Sequence, residues 1–172
     1  RWLTDAMLPS LLEVASWFPK KDLQLSLSHH KPSGEGYKIF NLPYGIDVSP
    51  VDGSIWYGKL YSSYIGRLNP ITLKVEEIKT PLSGPRRLRI DKSGILWIPS
   101  FENSALMRFD PKTKEFRIFE LPTLAPDEYE TPYALGIHPE TQEIWITSNM
   151  SDRIFRFLPT KSALLVIQVQ QK

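Results

Sequence analysis

From residue 37 onward, apolar and polar positions alternate in short runs broken by Pro, Gly, Asn and Asp. This period-two pattern predicts strands rather than helices. Tyr37-Lys-Ile-Phe-Asn-Leu42 alternates and stops at Pro43. Phe116-Arg-Ile-Phe-Glu-Leu121 repeats the pattern before Pro122, and Val75-Glu-Glu-Ile-Lys-Thr80 does so more loosely before Pro81. Residues 1–28 differ. Leu3, Met7, Leu8, Leu11, Leu12, Val14 and Trp17 have roughly helical spacing, interrupted by Pro9, which predicts a short helical or irregular segment. Residues 29–36, His-His-Lys-Pro-Ser-Gly-Glu-Gly, read as a linker.

The alternating part is one unit written three times. It opens with Pro43-Tyr44-Gly45-Ile46, Pro85-Arg86-Arg87-Leu88 and Pro132-Tyr133-Ala134-Leu135. It continues with Ile55-Trp56, Leu96-Trp97 and Ile144-Trp145, and closes with Ile65-Gly66-Arg67-Leu68, Leu106-Met107-Arg108-Phe109 and Ile154-Phe155-Arg156-Phe157. Trp to Arg is 11 residues in every copy, and successive Trp residues are 41 and 48 apart. Repeats of this length built from short strands and turns are the mark of propeller blades.

The predicted fold class is all-β: a β-propeller fragment of about three four-stranded blades, preceded by the N-terminal segment and linker, residues 1–36. Residues 37–42 would be an outer strand without inner partners, and the blades would span about 43–84, 85–131 and 132–172. First strands are expected at Gly45–Val48, Leu88–Asp91 and Leu135–His138, and the last fourth strand at 163–169. Closed propellers have about four to eight blades. Three would need completion by further blades of the same polypeptide or by a second copy of the chain. The chain starts with Arg rather than Met, which fits a mature form or a fragment.

Composition narrows the function classes. Lys and Arg number 21 against 19 Asp and Glu, for a net charge of +2. No global field recruits nucleic acid or an anionic membrane. No run approaches the about 18 apolar residues of a membrane span. The absence of Cys removes disulfides, thiolate nucleophiles and Cys-ligated metals.

Strand parity places candidate site residues. In a meander, the loops before strand one and after strand two share one side of the sheet. Tyr44, Arg86 and Tyr133 precede strand one, with Arg87 where the other copies have Gly45 and Ala134. Lys59, Ser100 and Ser148 follow their Trp by three residues. These seven are expected to line one mouth of a central funnel, where a small-molecule ligand or a protein would bind. Arg86 and Arg87 suit a carboxylate or phosphate. The competing expectation is that they pair with the acidic stretch Asp127-Glu128-Tyr129-Glu130. That stretch could instead help hold a divalent cation or be a solvated loop. His29 and His30 lie in the linker, and adjacent side chains of an extended segment point apart, which disfavours a shared metal. His138 is expected as a partly exposed turn residue. Arg67, Arg108 and Arg156 recur in every copy and are therefore read as structural, stacking on rings or pairing with a neighbour.

The three copies resemble the repeats of the virginiamycin B lyase (streptogramin B lyase) family: Gly-Pro-x-Gly-Ile, Trp-Phe-Thr-Glu, Asn-Lys-Ile-Gly-Arg-Ile, then a strand ending in Leu-Pro. Pro43–Ile46, Trp56–Lys59 and Ile65–Leu68 fit that spacing without a gap, as do the corresponding segments of the other two copies. The resemblance covers about residues 37–169. It implies a carbon–oxygen lyase that opens a cyclic ester at the funnel with a histidine base and Mg²⁺. The Glu of the Trp-Phe-Thr-Glu motif corresponds here to Lys59, Ser100 and Ser148, and no His follows a repeat-opening Pro. The alternative is a non-catalytic ligand- or protein-binding propeller. A lactonase of the gluconolactonase type would need a Glu, Asn and Asp cluster that these copies lack. The family includes secreted and cytoplasmic members, and the expected location is periplasmic or secreted.

Overall fold

The constant spacing from Trp to Arg is the span of a hairpin. Trp56, Trp97 and Trp145 each stand directly opposite their Arg, at Arg67, Arg108 and Arg156, on the neighbouring antiparallel strand. The structure, a computed structural model, describes residues 42–123, 126 and 128–169. The N-terminal segment, the linker and all but the last residue of the expected outer strand 37–42 lie outside the described residues, as do His29 and His30.

Among the described residues, twelve strands form three four-stranded antiparallel sheets, each a simple meander. The first contains β1 (Leu42–Val48), β2 (Ile55–Leu60), β3 (Tyr64–Leu68) and β4 (Val75–Lys79). The middle sheet contains β5 (Arg89–Ile90), β6 (Leu96–Ser100), β7 (Ala105–Asp110) and β8 (Glu115–Glu120). The last contains β9 (Pro132–Ile137), β10 (Ile144–Ser148), β11 (Arg153–Leu158) and β12 (Ala163–Gln168). Leu42 thus opens a first strand instead of ending an outer one. Among the described residues no helix is long and apolar enough to cross a membrane.

Side-chain caps make the turns. Asn69 Oδ1 accepts the amides of Ile71 and Thr72, and Asp110 Oδ1 accepts that of Lys112. Asp91 Oδ1 accepts from Ser93 and Ile95. His138 does the same work with its ring: Nδ1 accepts from Glu140 and Thr141. Such local bonds satisfy backbone donors that a turn would otherwise leave open.

The sheets pack face to face, and burial follows from position. Every residue of β6 is buried, because the middle sheet is covered on both faces. In β2 and β10 burial is incomplete and roughly alternating. Between the first and middle sheets lie Trp56, Ile65, Leu88, Leu96, Ile98, Met107 and Phe109. Between the middle and last sheets lie Trp97, Leu106, Leu121, Leu135, Ile144, Ile146, Phe155 and Phe157. Each interface centres on a Trp of one sheet meeting a Phe of the next. Trp56 and Phe109 are 5.9 Å apart between ring centroids, and Trp97 and Phe157 are 5.3 Å apart. Trp97 Nε1 also donates to Asp91 Oδ2 at 3.0 Å. The indole is therefore buried without an unpaired donor.

The recurrent Arg residues grip the same hairpins. Arg67 lies 5.6 Å from the Trp56 ring and bonds Asp52 at 2.7 Å. Arg156 lies 5.5 Å from Trp145 and pairs with Glu143. Arg108 is 3.6 Å from Asp110. Partial burial works to raise the Asp52 carboxyl, but bonds from Ser54, Ser49 and Arg67 hold it down to about 2.

The loop entering β9 is fastened by Glu130, a fully buried carboxylate. It accepts from Ser151 Oγ at 2.7 Å and pairs with Arg153, which also bonds Glu128. Its backbone N–H and C=O are both satisfied by Ser104 Oγ at 2.8 Å. Burial works to raise Glu130, yet hydrogen bonds from Ser148, Ser151 and Arg153 and the Arg153 charge outweigh it and leave its pKa lowered.

Two outcomes are expected. Trp97→Ala should destabilise by about 3–5 kcal/mol, read from chemical denaturation, because it empties the interface between the middle and last sheets. Glu130 is depressed in the folded state, so its contribution is present above the ordinary carboxylate range and lost as pH falls through the folded value. Stability of Glu130→Gln should therefore fall below wild type at neutral pH and decline less on acidification, measured by urea unfolding across pH.

Candidate functional site

The repeat-opening Pro pairs with the residue three after the Trp in all three sheets: Pro43 with Lys59, Pro85 with Ser100 and Pro132 with Ser148. This brings the start of strand one beside the end of strand two in every repeat. Strand one is not the same in each. The ladder of β1 shifts between Tyr44 and Ile46, leaving Gly45 as a bulge with φ of +60°. In the middle sheet the chain turns sharply. Leu88 N donates to Arg86 O at 3.0 Å across a three-residue turn centred on Arg87. The expected strand Leu88–Asp91 shrinks to Arg89–Ile90. Arg87 leaves its own ladder and bridges in parallel to Ala134 of the last sheet, its amide 3.3 Å from Tyr133 O.

The first strands therefore meet backbone to backbone. A Cβ on Gly45 would lie 2.5 Å from Arg87 Cα, and one on Gly58 would lie 2.9 Å from Arg86 O. Both positions must lack a side chain for the segment 85–87 to sit against the first sheet.

That contact gathers four of the seven expected residues. The hydroxyls of Tyr44 and Tyr133 are hydrogen-bonded to one another, with the rings edge to face at 6.2 Å. The Arg87 guanidinium lies 5.7 Å from the Tyr44 ring and 5.2 Å from the Tyr133 ring, and it is exposed. Arg86 is 7% exposed. Its guanidinium stacks 4.2 Å from the Phe101 ring, with Tyr61 at 5.5 Å and Tyr133 at 6.0 Å. Among the described residues its buried Nε has no hydrogen-bond partner. Among the described residues neither guanidinium forms an ion pair with a carboxylate.

Tyr61 and Phe101 belong to this cluster and were absent from the sequence-based set. Both follow strand two in corresponding turns, Tyr61 with φ of +61° and Phe101 at the start of a single 3-10 turn, Phe101–Asn103. An aromatic after strand two in two of three copies was the available signal.

The other three expected residues have different partners. Lys59 is buried and ion-paired to Glu77 at 2.8 Å, over the Tyr64 ring at 5.3 Å. Ser100 Oγ donates to Ser83 O at 2.8 Å and accepts from Asn103 at 2.9 Å. Ser148 Oγ accepts the Thr131 amide at 3.1 Å. The two serines fasten the loops that enter strand one.

The phenol pair divides its titration. Burial works to raise Tyr44, but hydrogen bonds with Tyr133 and Arg87 and the charges of Arg87 and Arg86 leave it lowered. Tyr133 is raised, by its bond to Tyr44, by burial and by the Tyr44 charge, against the pull of the two Arg residues. One proton leaves early and the second is retained, as expected for two acids sharing a bond beside a cation. Arg87 is raised in turn by its contacts with Tyr44 and Tyr133.

Of the acidic stretch, the described Glu128 and Glu130 bond Arg153. Asp127 lies outside the described residues. Glu128, Tyr129, Glu130, Ser151, Asp152 and Arg153 help line a separate open cleft of about 380 Å³. No group of three or more His, Cys, Asp or Glu side chains converges among the described residues. Mg²⁺ takes oxygen ligands, carboxylates foremost. Guanidiniums and phenols, the groups gathered here, are not ligands of that kind.

No family model matches the chain, and no curated protein does. Solved structures do. Virginiamycin B lyase from Staphylococcus aureus is 25% identical with a TM-score of 0.66, over 77% of this chain and 43% of that one. A streptogramin B lyase is 22% identical with a TM-score of 0.66, over 76% and 42%. A hydrazine synthase of Kuenenia stuttgartiensis also reaches 0.66, at 14% identity over 83% and 40%. The match spans less than half the length of either lyase, and across it this chain is structurally similar to the virginiamycin/streptogramin B lyase fold family.

Proposed function

We propose that this chain is a binding module on a lyase-type scaffold, holding the carboxylate or phosphate of a small molecule or protein at Arg86, Arg87, Tyr44 and Tyr133. The observation that carries the reading is the pair of guanidiniums without a carboxylate partner, one of them buried with its Nε unbonded. A buried donor left without a partner costs about 1–3 kcal/mol. An oxyanion reaching it would remove that cost and add charge-assisted bonds. The hydroxyl of the Tyr44–Tyr133 pair that does not donate within the pair supplies one further donor, and Phe101 fixes the plane of Arg86 by stacking.

The test is calorimetric titration of the full chain with inorganic phosphate and with citrate. At least one should bind. Arg87→Ala should weaken binding about tenfold or more, the loss of one charged hydrogen bond, with the thermal midpoint lowered by only about a few degrees because Arg87 is exposed and loses ring contacts alone. Absence of binding to both anions, or full affinity in Arg87→Ala, would overturn the reading.

A second outcome follows from the phenol pair. Tyr44 should ionise below the ordinary tyrosine range of about 10. The tyrosinate absorbance titration of wild type should show an early phase that is absent from the doubly substituted Tyr44→Phe, Tyr133→Phe chain. Arg87→Ala should move this ionisation to higher pH. Anion affinity should fall as pH rises through it, since the phenolate repels the ligand.

The lyase reading is supported by the likeness to two lyases. Incubation with virginiamycin B and chromatography of the mixture checks it. A product peak that grows with chain concentration would establish it over the binding reading.

A further inference from the structure

The three sheets carry one apolar triad on the face that bears the tryptophan: Trp56, Ile65 and Ile78, then Trp97, Leu106 and Phe119, then Trp145, Ile154 and Ile167. The cross-strand pairs Ile65–Ile78, Leu106–Phe119 and Ile154–Ile167 sit at one equivalent register. In the first two sheets the next sheet covers the triad, and Trp56 and Trp97 are both 2% exposed. In the last sheet no described sheet covers it. Trp145 is half-buried with Arg156 across its ring, and Ile167 is 40% exposed. Leu165 lies exposed on the same face. No aromatic ring among the described residues meets Trp145 as Phe109 meets Trp56 and Phe157 meets Trp97.

The first sheet carries the complementary vacancy. In the middle sheet the receiving face is Leu88, Leu96, Ile98, Met107 and Phe109. The same repeat positions in the first sheet are Ile46, Ile55, Tyr57, Gly66 and Leu68. The Tyr57 ring lies over Gly66, so that a Cβ there would come 2.0 Å from Tyr57 Cζ. It thereby fills the place that the Met107 side chain takes in the middle sheet. Ile46 is 64% exposed.

We propose that the open face of the last sheet docks on the first sheet of a second copy of this chain, head to tail. The interface continues the packing that the chain already makes twice within itself. It adds a third Trp-centred contact, with Leu68 where Phe109 and Phe157 stand. Two copies joined at both ends would bring six sheets, inside the about four to eight of closed rings. If the rotation does not close, the same contact gives higher multiples.

The experiment is light scattering of the full chain through a concentration series. The mass should rise from one protomer to two or to higher multiples. Trp145→Glu and, separately, Ile46→Glu should each return it to one protomer. Mixing these two variants should restore a two-protomer species, because each keeps the face the other has lost. Far-ultraviolet circular dichroism confirms that both fold, and Leu165→Glu on the same open face replaces Trp145→Glu if that variant does not. A wild-type chain that stays at one protomer throughout overturns the proposal. So does association that survives Ile46→Glu, which would mean two last sheets meeting face to face.

Discussion

The structure depends on one contact made twice: the tryptophan of one sheet entering a phenylalanine-lined face of the next. A four-stranded meander of this size cannot bury its own faces, so each sheet is stable only as a layer against another. The Trp–Phe contact fixes how far apart and at what rotation two layers sit. The opposing Arg holds the Trp hairpin from across the strand pair, which is why the spacing between them does not vary while the spacing between repeats does.

Fixing the sheets in this way drives their first strands together at one end, and the site is a consequence of that crowding. Gly45 and Gly58 remove side chains where the segment 85–87 must pass. The sharp turn at Arg87 then carries it out of its own sheet toward Ala134. Two tyrosines from the outer sheets and two arginines from the middle one converge as a result. Like charges brought this close, with one guanidinium buried, would be unfavourable without compensation. Stacking on Phe101, Tyr61, Tyr44 and Tyr133 supplies part of it, worth about 0.5–2 kcal/mol for each well-placed pair. The unbonded Nε of Arg86 is the part left over. Buried polar groups are rarely left so.

One repeat position shows how a shared backbone hosts different roles. Lys59, Ser100 and Ser148 have the same register with their opening Pro. The serines bond the entry loops, and the lysine instead pairs with Glu77 on its own sheet. The position is set by the repeat, and the side chain decides whether it serves the loop or the sheet face.

The strands and their antiparallel order were legible in the sequence, because alternation and a repeated spacing are local properties and each copy reports the same geometry. Parity assigned Tyr44, Arg86, Arg87 and Tyr133 to one end together with Lys59, Ser100 and Ser148, and did not say which of the seven would meet. What only the tertiary structure decided was the chemistry at that end. Whether Arg86 and Arg87 met the acidic stretch depended on Arg153, which lies on another strand and holds Glu128 and Glu130. Whether Tyr61 and Phe101 joined the cluster depended on the paths of two turns. Lys59 went to Glu77 because a buried charge takes the nearest opposite charge, and that neighbour is fixed by strand pairing across the sheet. Periodicity specifies which face a residue is on, but contacts between sheets choose its partner.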